Sequence, residues 1–130
     1  MPREGVSRMD VATDTTTEKI ARAFSSHRFD LALPNLADDI CWTVVGTAPM
    51  IGRKAVKKAI ERTAKDLSSV TTEFQRFRSV VGEDSVVVDS LARYTDGGGD
   101  VSIVASCDIY DFDNDGRITE IVSYTVELPS

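Results

Sequence analysis

The spacing of apolar residues predicts helices in the first part of the chain. Residues 1–16 are polar and show no periodicity, which is typical of a mobile tail. Within residues 17–29, Ile20, Ala21 and Phe24 fall on one helical stripe, and a threonine precedes it as the N-cap. The segment NLADD then predicts a short helical turn before the strand-like run ICWTVV.

A further helix is predicted over the basic segment RKAVKKAIERTAK, which follows a loop from Gly46 to Gly52. Apolar residues recur there at helical spacing, so the lysines and arginines lie on the opposite, solvated face. After Ser68 the pattern changes to four runs rich in β-branched and aromatic residues, joined by short turn-like connections. These runs predict four consecutive strands of an antiparallel meander.

The predicted order of elements defines the fold class. Helices come first and the meander follows, so we expect an α+β protein whose N-terminal helices pack on a strongly curved antiparallel sheet. A cone-like arrangement of this kind leaves an internal pocket between the helices and the sheet. A chain of 130 residues has room for one domain, which we assign to residues 17–130.

Charge and composition exclude several classes of function. The net charge of -6 and the pI near 4.7 argue against nucleic acid as a partner, because like charges repel. No apolar run reaches the roughly 18 residues of a membrane span, and no signal peptide is visible, so we predict a cytoplasmic protein without a membrane partner. Cys41 and Cys107 lie in apolar strands and are interpreted as small buried thiols.

Two motifs that resemble metal sites have structural explanations. The segment DFDNDG, residues 111–116, matches the first half of a calcium loop. Its twelfth position is Val122 where that loop needs a bidentate Glu, so a hairpin turn is the preferred interpretation. His27 is the single histidine, and its position near a helix end suits a cation. We therefore predict no metal site and no cofactor.

Alternation along two strands of the meander identifies a candidate site, because successive strand residues face opposite sides. On the later strand, Asp108 shares a face with Ser106 and Tyr110, among apolar neighbours. A carboxylate there must be hydrogen-bonded, protonated or open to water, and it is a candidate for acid–base chemistry. A carboxylate satisfied by a neighbouring strand or by a partner subunit explains the pattern equally well. The uncharged set on the preceding strand, which we expect to face the interior, consists of Val86, Val88, Ser90, Ala92 and Tyr94.

The segment from AFSSHRF through the basic helix, with CDIYDFDNDGRITEIVSYTVEL, resembles the nuclear transport factor 2-like (NTF2-like) superfamily. Within it the likeness is to SnoaL-like polyketide cyclases and ketosteroid isomerases, over about residues 17–128, and rests on LADDICW, GRKAV and the YDF ending. The resemblance implies a cystatin-like α+β roll, a deep apolar pocket and a homodimer formed through the outer sheet face. It also implies that Asp108 corresponds to the protonated aspartate of the isomerases' oxyanion hole. Where those enzymes have a general-base aspartate, this chain has Val44 or its neighbours.

These observations give one main hypothesis about function and two alternatives. The main hypothesis is a pocket for a small hydrophobic, oxygenated molecule, with metal-free acid–base chemistry of the isomerase or cyclase type at Asp108. A non-catalytic ligand-binding protein and an oligomerisation module with a filled cavity remain open as alternatives. The candidate pocket residues besides Asp108 are Trp42, Val88, Ser90, Ser106, Tyr110, Ser123 and Tyr124.

Overall fold

The computed structural model describes residues 10–129, with side chains for residues 16–129. A 3-10 turn, Leu33–Asn35, leads into the first strand. Within the described residues, no helix is long and apolar enough to cross a membrane. The helices are α1 (Asp10–Ser25), α2 (Phe29–Ala32) and α3 (Arg53–Leu67), and the strands are β1 (Leu36–Val44), β2 (Met50–Ile51), β3 (Thr71–Val81), β4 (Ser85–Thr95), β5 (Val101–Phe112) and β6 (Ile118–Leu128).

Helix α1 is longer at its start and shorter at its end than the sequence predicts. It begins at Asp10 and so includes residues 10–16 of the predicted tail, whereas residues 1–9 lie outside the described residues. The sequence prediction locates the start of the helix from the spacing of apolar residues. It misses the first turns of α1 because their residues add little to the apolar stripe. The helix ends at Ser25, since the backbone becomes left-handed at His27, where φ is 70°.

The segment NLADD is a strand entry and not the helical turn that its polar residues predict. The 3-10 turn stops at Asn35, and β1 begins with Leu36 and Ala37, both buried. Burial of these two apolar side chains outweighs the turn preference of the asparagine and aspartates. The predicted loop before α3 also contains the two-residue strand β2, which pairs with β1.

The six strands form one mixed sheet in the order β2-β1-β6-β5-β4-β3. Strands β3 to β6 form the antiparallel meander that the sequence predicts, and β1 joins it through a parallel pairing with β6. Register shifts interrupt the pairings β1–β6, β3–β4 and β5–β6. Irregularities of this kind bend and twist a sheet, and this sheet curves around the helices without closing into a barrel.

The core lies between the concave face of the sheet and the helices. Helix α1 packs against β3, β4 and β5, and α3 packs against β1 and β2, where it buries Val56. The ring of Phe24 in α1 meets the rings of Phe29, Trp42 and Tyr110 edge to face, with centroids 5.1 to 5.7 Å apart. Such pairs add to the free energy gained from burial alone, so this aromatic group fixes α1 on the sheet.

The convex face of the sheet, which points away from the helices, carries an apolar surface. Val80, Tyr124 and Val126 of this face are about half exposed or more. The same face carries an ion-pair cluster in which Arg76 and Arg78 of β3 both donate to the Asp89 carboxylate of β4.

Both cysteines are half-buried, whereas the sequence predicts buried thiols. Cys107 lies between Ser106 and Asp108, whose side chains face the concave side, so its own side chain faces the convex side. Cys41 is likewise flanked by the buried residues Ile40 and Trp42. Because each cysteine lies within an apolar run, the sequence pattern does not show which face of the strand the thiol occupies.

The DFDNDG segment forms the turn between β5 and β6. The Asp113 carboxylate accepts hydrogen bonds from the backbone N–H groups of Asp115 and Arg117, and Gly116 adopts a φ of 79°. An aspartate that caps a turn and a glycine in the left-handed region are what a tight hairpin needs. Asp113 therefore has a structural role in this turn.

Candidate functional site

A cavity of about 320 Å³ lies between the concave face of the sheet and helix α1. This volume corresponds to about ten water molecules and is near the lower end of the range for small-molecule sites, about 300–1,000 Å³. Its apolar lining consists of Phe24, Phe29, Trp42, Val44 and Val104. Its polar lining consists of Ser25, His27, Thr63, Ser90, Tyr94, Ser106, Asp108, Ser123 and Thr125. The cavity thus suits a small ligand with an apolar body and a polar group.

The strand register brings the polar groups of the sheet together. In the β5–β6 pairing, Ser123 stands directly opposite Asp108, and Thr125 stands opposite Ser106. In the β4–β5 pairing, Ser90 stands opposite Ser106. Directly opposed residues on one sheet face have Cβ atoms about 4.5–5.5 Å apart. The Asp108 carboxyl group therefore has the Ser123 hydroxyl as its neighbour on β6. Two residues away on the same face, the hydroxyl groups of Ser90, Ser106 and Thr125 form a row across β4, β5 and β6.

Hydrogen bonds converge on the Asp108 carboxyl group from both sides. The Ser25 hydroxyl donates to Asp108 Oδ2 at 2.7 Å, and the Tyr110 hydroxyl lies 2.5 Å from Ser25 Oγ. Because Ser25 has one hydrogen to give, Tyr110 is the donor in that second bond when Asp108 is ionised. The indole N–H of Trp42 donates to Ser123 Oγ at 3.0 Å, which leaves the Ser123 hydrogen for Asp108. Two short hydrogen-bond chains, Tyr110–Ser25 and Trp42–Ser123, thus end at one carboxyl group.

The protonation of Asp108 reflects opposing influences. Burial raises the pKa of Asp108 above its ordinary value, whereas the hydrogen bonds from Ser123 and Ser25 and the charge of His27 act in the opposite direction. The net direction is upward. A carboxyl group with a raised pKa retains its proton to higher pH, so it can donate a hydrogen bond to a ligand oxygen.

His27 lines the cavity, although sequence reasoning treated it as a helix-terminal cation. Its ring lies among the rings of Phe29, Phe74 and Tyr94, with centroids 5.9 to 6.1 Å apart. This burial lowers the pKa of His27, and the charge of Asp108 only partly opposes the change. The surrounding rings exclude the water that a cation needs, so the imidazole is held neutral rather than charged.

The structure places most of the predicted site residues together. Val88 and Tyr110 are fully buried next to the cavity without lining it, although Tyr110 reaches Asp108 through Ser25. The prediction for Tyr124 is wrong, because it follows the inward-facing Ser123 and so faces the convex side. The predicted residues that line the cavity are Trp42, Ser90, Ser106, Asp108 and Ser123.

Sequence reasoning missed two polar residues at the end of α1, Ser25 and His27. Ser25 lies four residues after Ala21 on the buried stripe of the helix, and it is itself buried. A polar residue on an apolar stripe is the same signal that identified Asp108, so Ser25 could have been found in this way. His27 has no such signal, since its direction depends on the left-handed backbone at that residue.

A curved, unclosed sheet covered by helices, with a cavity on its concave face, defines the NTF2-like class of α+β proteins. An NTF2-like protein of unknown function from Cytophaga hutchinsonii shares this architecture with a TM-score of 0.76 and 28% sequence identity, over 87% of this chain and 98% of that chain. The chain belongs to the family of SnoaL-like domains, whose model matches residues 17–121. No match is found among curated proteins.

Two enzymes of known structure are also similar in fold. An LEH-like epoxide hydrolase from M. tuberculosis has a TM-score of 0.66 and 20% identity, over 86% of this chain and 84% of that chain. The epoxide hydrolase/cyclase-like enzyme SalBIII, which has a role in pyran ring formation in the polyether salinomycin, has a TM-score of 0.64 and 16% identity, over 90% and 92%. At this level of identity the likeness shows a shared fold and leaves the chemistry to the site.

Proposed function

We propose that this protein binds a small apolar molecule carrying a carbonyl or hydroxyl oxygen, and that it acts on this molecule by acid–base chemistry of the isomerase or cyclase type. Asp108 is the acid that faces the ligand oxygen. The observation that carries the proposal is the position of Asp108, a largely buried carboxyl group that two hydroxyl groups contact in a cavity with an aromatic wall. Membership in the SnoaL-like family and the cyclase-like and hydrolase-like neighbours support this class of reaction.

The proposed chemistry does not use a metal. A catalytic metal ion needs about three protein ligands, such as imidazoles and carboxylates. The cavity offers one imidazole and one carboxyl group, and the described residues contain no cluster of three or more His, Cys, Asp or Glu side chains suited to a metal. Activation of the ligand is therefore assigned to hydrogen bonding and proton transfer.

The position of Trp42 provides a direct assay for binding. Trp42 is the single tryptophan of the chain and lines the cavity, so its fluorescence reports on occupancy. We expect titration with small cyclic ketones of roughly ten non-hydrogen atoms to change this fluorescence in a saturable manner, because such molecules match the cavity volume. A flat response to the whole ketone panel would contradict the proposal.

A matched pair of variants tests whether the fluorescence change reports on the cavity. Ser106→Leu places a larger side chain in the cavity and should abolish the response. Arg93→Leu introduces the same residue at an exposed position of the neighbouring strand and should retain the response. Equal responses in the two variants would show that the ketones bind elsewhere.

Chemistry is tested separately from binding by the exchange of ligand protons. In D₂O, an acid–base site of this kind should exchange the protons on the carbon next to the ketone carbonyl, which NMR detects as a loss of signal. Exchange should require Asp108, since Asp108→Leu has no proton to donate to the oxygen. Binding of the ketones without any exchange would favour a non-catalytic ligand-binding protein.

A further inference from the structure

His27 occupies a helix terminus that normally holds glycine. The N–H of His27 donates to the carbonyl of Phe24, and the N–H of Arg28 donates to the carbonyl of Ala23. This pair of bonds is the Schellman motif, in which the residue at the His27 position is left-handed and usually glycine. Glycine adopts this conformation freely, whereas a side chain with a Cβ atom is strained in it.

The strain at His27 is unusual within this structure. Among residues 10–129, the other positions with positive φ are all glycines: Gly46, Gly52, Gly99 and Gly116. Residues held in rarely populated backbone conformations concentrate at functional sites, where the surrounding structure maintains them. At His27 the strained backbone places an imidazole in the wall of the cavity that also contains Asp108.

The surroundings of the ring suit a proton acceptor. The groups that face it are Phe29 of α2, Phe74 of β3, Tyr94 of β4 and Asp108 of β5. Burial lowers the pKa of His27 and raises the pKa of Tyr94, so both groups are neutral near pH 7. A neutral imidazole in a cavity has a free nitrogen lone pair that can accept a proton.

We propose that His27 is the base that works with Asp108 on an enolisable carbonyl compound, which is an assignment that rests on the function proposed above. The bond between hydrogen and the carbon next to the carbonyl breaks, and the proton passes to His27. The electron pair forms the C=C bond of an enol, and the carbonyl oxygen takes the proton of Asp108. Return of a proton from the imidazolium to carbon, and of the hydroxyl proton to Asp108, restores both side chains and completes an isomerisation or an exchange.

The left-handed backbone makes His27→Gly a clean variant, because glycine removes the ring and relieves the strain. We expect His27→Gly to fold, to bind the cyclic ketones within about threefold of the parent affinity, and to lose α-proton exchange by about 100-fold or more. His27→Asn tolerates the left-handed backbone but has no basic nitrogen, so it should behave in the same way. Free imidazole added to His27→Gly should restore part of the exchange, because the deleted ring leaves a space of its own size.

The outcomes separate this assignment from the proposed function. Loss of exchange in Asp108→Leu together with parent-like exchange in His27→Gly would overturn the role of His27 and leave the proposed function standing. Ketone binding without exchange in the parent protein would overturn both the acid–base function and this role.

A readout independent of turnover comes from the single imidazole resonance of the chain. In the parent protein the pKa of His27 should lie below its ordinary value, because the ring is buried in the wall of the cavity. A pKa of His27 at or above its ordinary value would show that the ring is charged near neutral pH and would overturn its role as the base.

Discussion

The variants Asp108→Asn and Asp108→Leu test whether Asp108 acts as a hydrogen-bonded acid or only fills space in the protein interior. Asparagine keeps an acceptor for the Ser25 hydroxyl and adds a permanent donor that can face a ligand oxygen. Leucine has neither group, so the hydroxyl groups of Ser25 and Ser123 lose the partner to which they point.

The expected changes in the free energy of unfolding follow from this difference. A buried hydroxyl hydrogen left without an acceptor costs about 2 kcal/mol, and Asp108→Leu leaves one on the Ser25–Tyr110 side and one on Ser123, at a cost of about 4 kcal/mol. Burial of the leucine side chain offsets about 2 kcal/mol, so we expect a net loss of about 2 kcal/mol. Asp108→Asn keeps the contacts and should lie within about 1 kcal/mol of the parent protein at a pH where Asp108 is protonated.

The pH dependence has a defined sign. The folded protein holds the Asp108 proton more tightly than the unfolded chain, whose aspartates titrate near the ordinary value of 3.8. Below that pH the stability contribution of the protonated group is fully present, and it is lost as the pH rises through the folded pKa, by about 1.4 kcal/mol for each unit of pKa increase. Asp108→Asn has no such slope, so it should gain stability relative to the parent protein as the pH rises through this window.

The assay is urea denaturation followed by Trp42 fluorescence across a pH range of about 4 to 8, with ketone affinity measured in the same samples. The difference between the parent protein and Asp108→Asn is the diagnostic quantity, because the other carboxylates cancel in it. Parallel stability curves for the two proteins at every pH, a carboxyl pKa of Asp108 at or below 3.8 by NMR, or equal ketone affinity in the Asn and Leu variants would refute the reasoning.

Three further predictions concern other parts of the molecule. The apolar convex face predicts a symmetric homodimer, so light scattering at micromolar concentration should give twice the 14.2 kDa of the chain, and a monomer mass would contradict this. Micromolar calcium should leave the melting temperature unchanged, whereas a rise of several degrees that Asp113→Ala abolishes would show a calcium site. Arg53 donates twice to the Leu36 carbonyl, so in urea Arg53→Met should be less stable by about 1–2 kcal/mol than Lys54→Met, and equal stabilities would contradict a role for these bonds.

The site residues on the sheet could be predicted because successive residues of a strand face opposite sides and one face of the meander is buried. Once that face is known, every second residue is placed, which is why Ser90, Ser106 and Asp108 were found. The same rule excludes Tyr124 as soon as Ser123 is placed inside.

The pairing of β5 with β6 cannot be obtained by counting residues from the turn. Counting back from the Phe112–Ile118 pair places Val122 opposite Asp108. The register shifts by one residue between Asp111 and Phe112, so Ser123 takes that place instead. A shift of this kind depends on the local twist of the strands, which the pattern of apolar residues does not record.

The helix side of the site was harder to predict, since it depends on where α1 stops. A helix end is set by one or two backbone angles and by packing against distant strands, and apolar spacing records neither. Extending the helix to Phe29 placed His27 near the C-terminal end of the helix, a position that suits a cation. The Schellman turn instead directs its ring between α2, β3 and β4.

The parallel pairing of β1 with β6 has a consequence for how the protein folds. The Trp42–Ser123 hydrogen bond joins residues 81 positions apart. The chain between them must give up conformational entropy to close this loop before the bond can form. During synthesis the chain lacks this contact until β6 has left the ribosome, and the Asp108 carboxyl group has no Ser123 partner until then. A ligand can therefore stabilise only a molecule in which β6 is in place, and it cannot guide the earlier stages of folding.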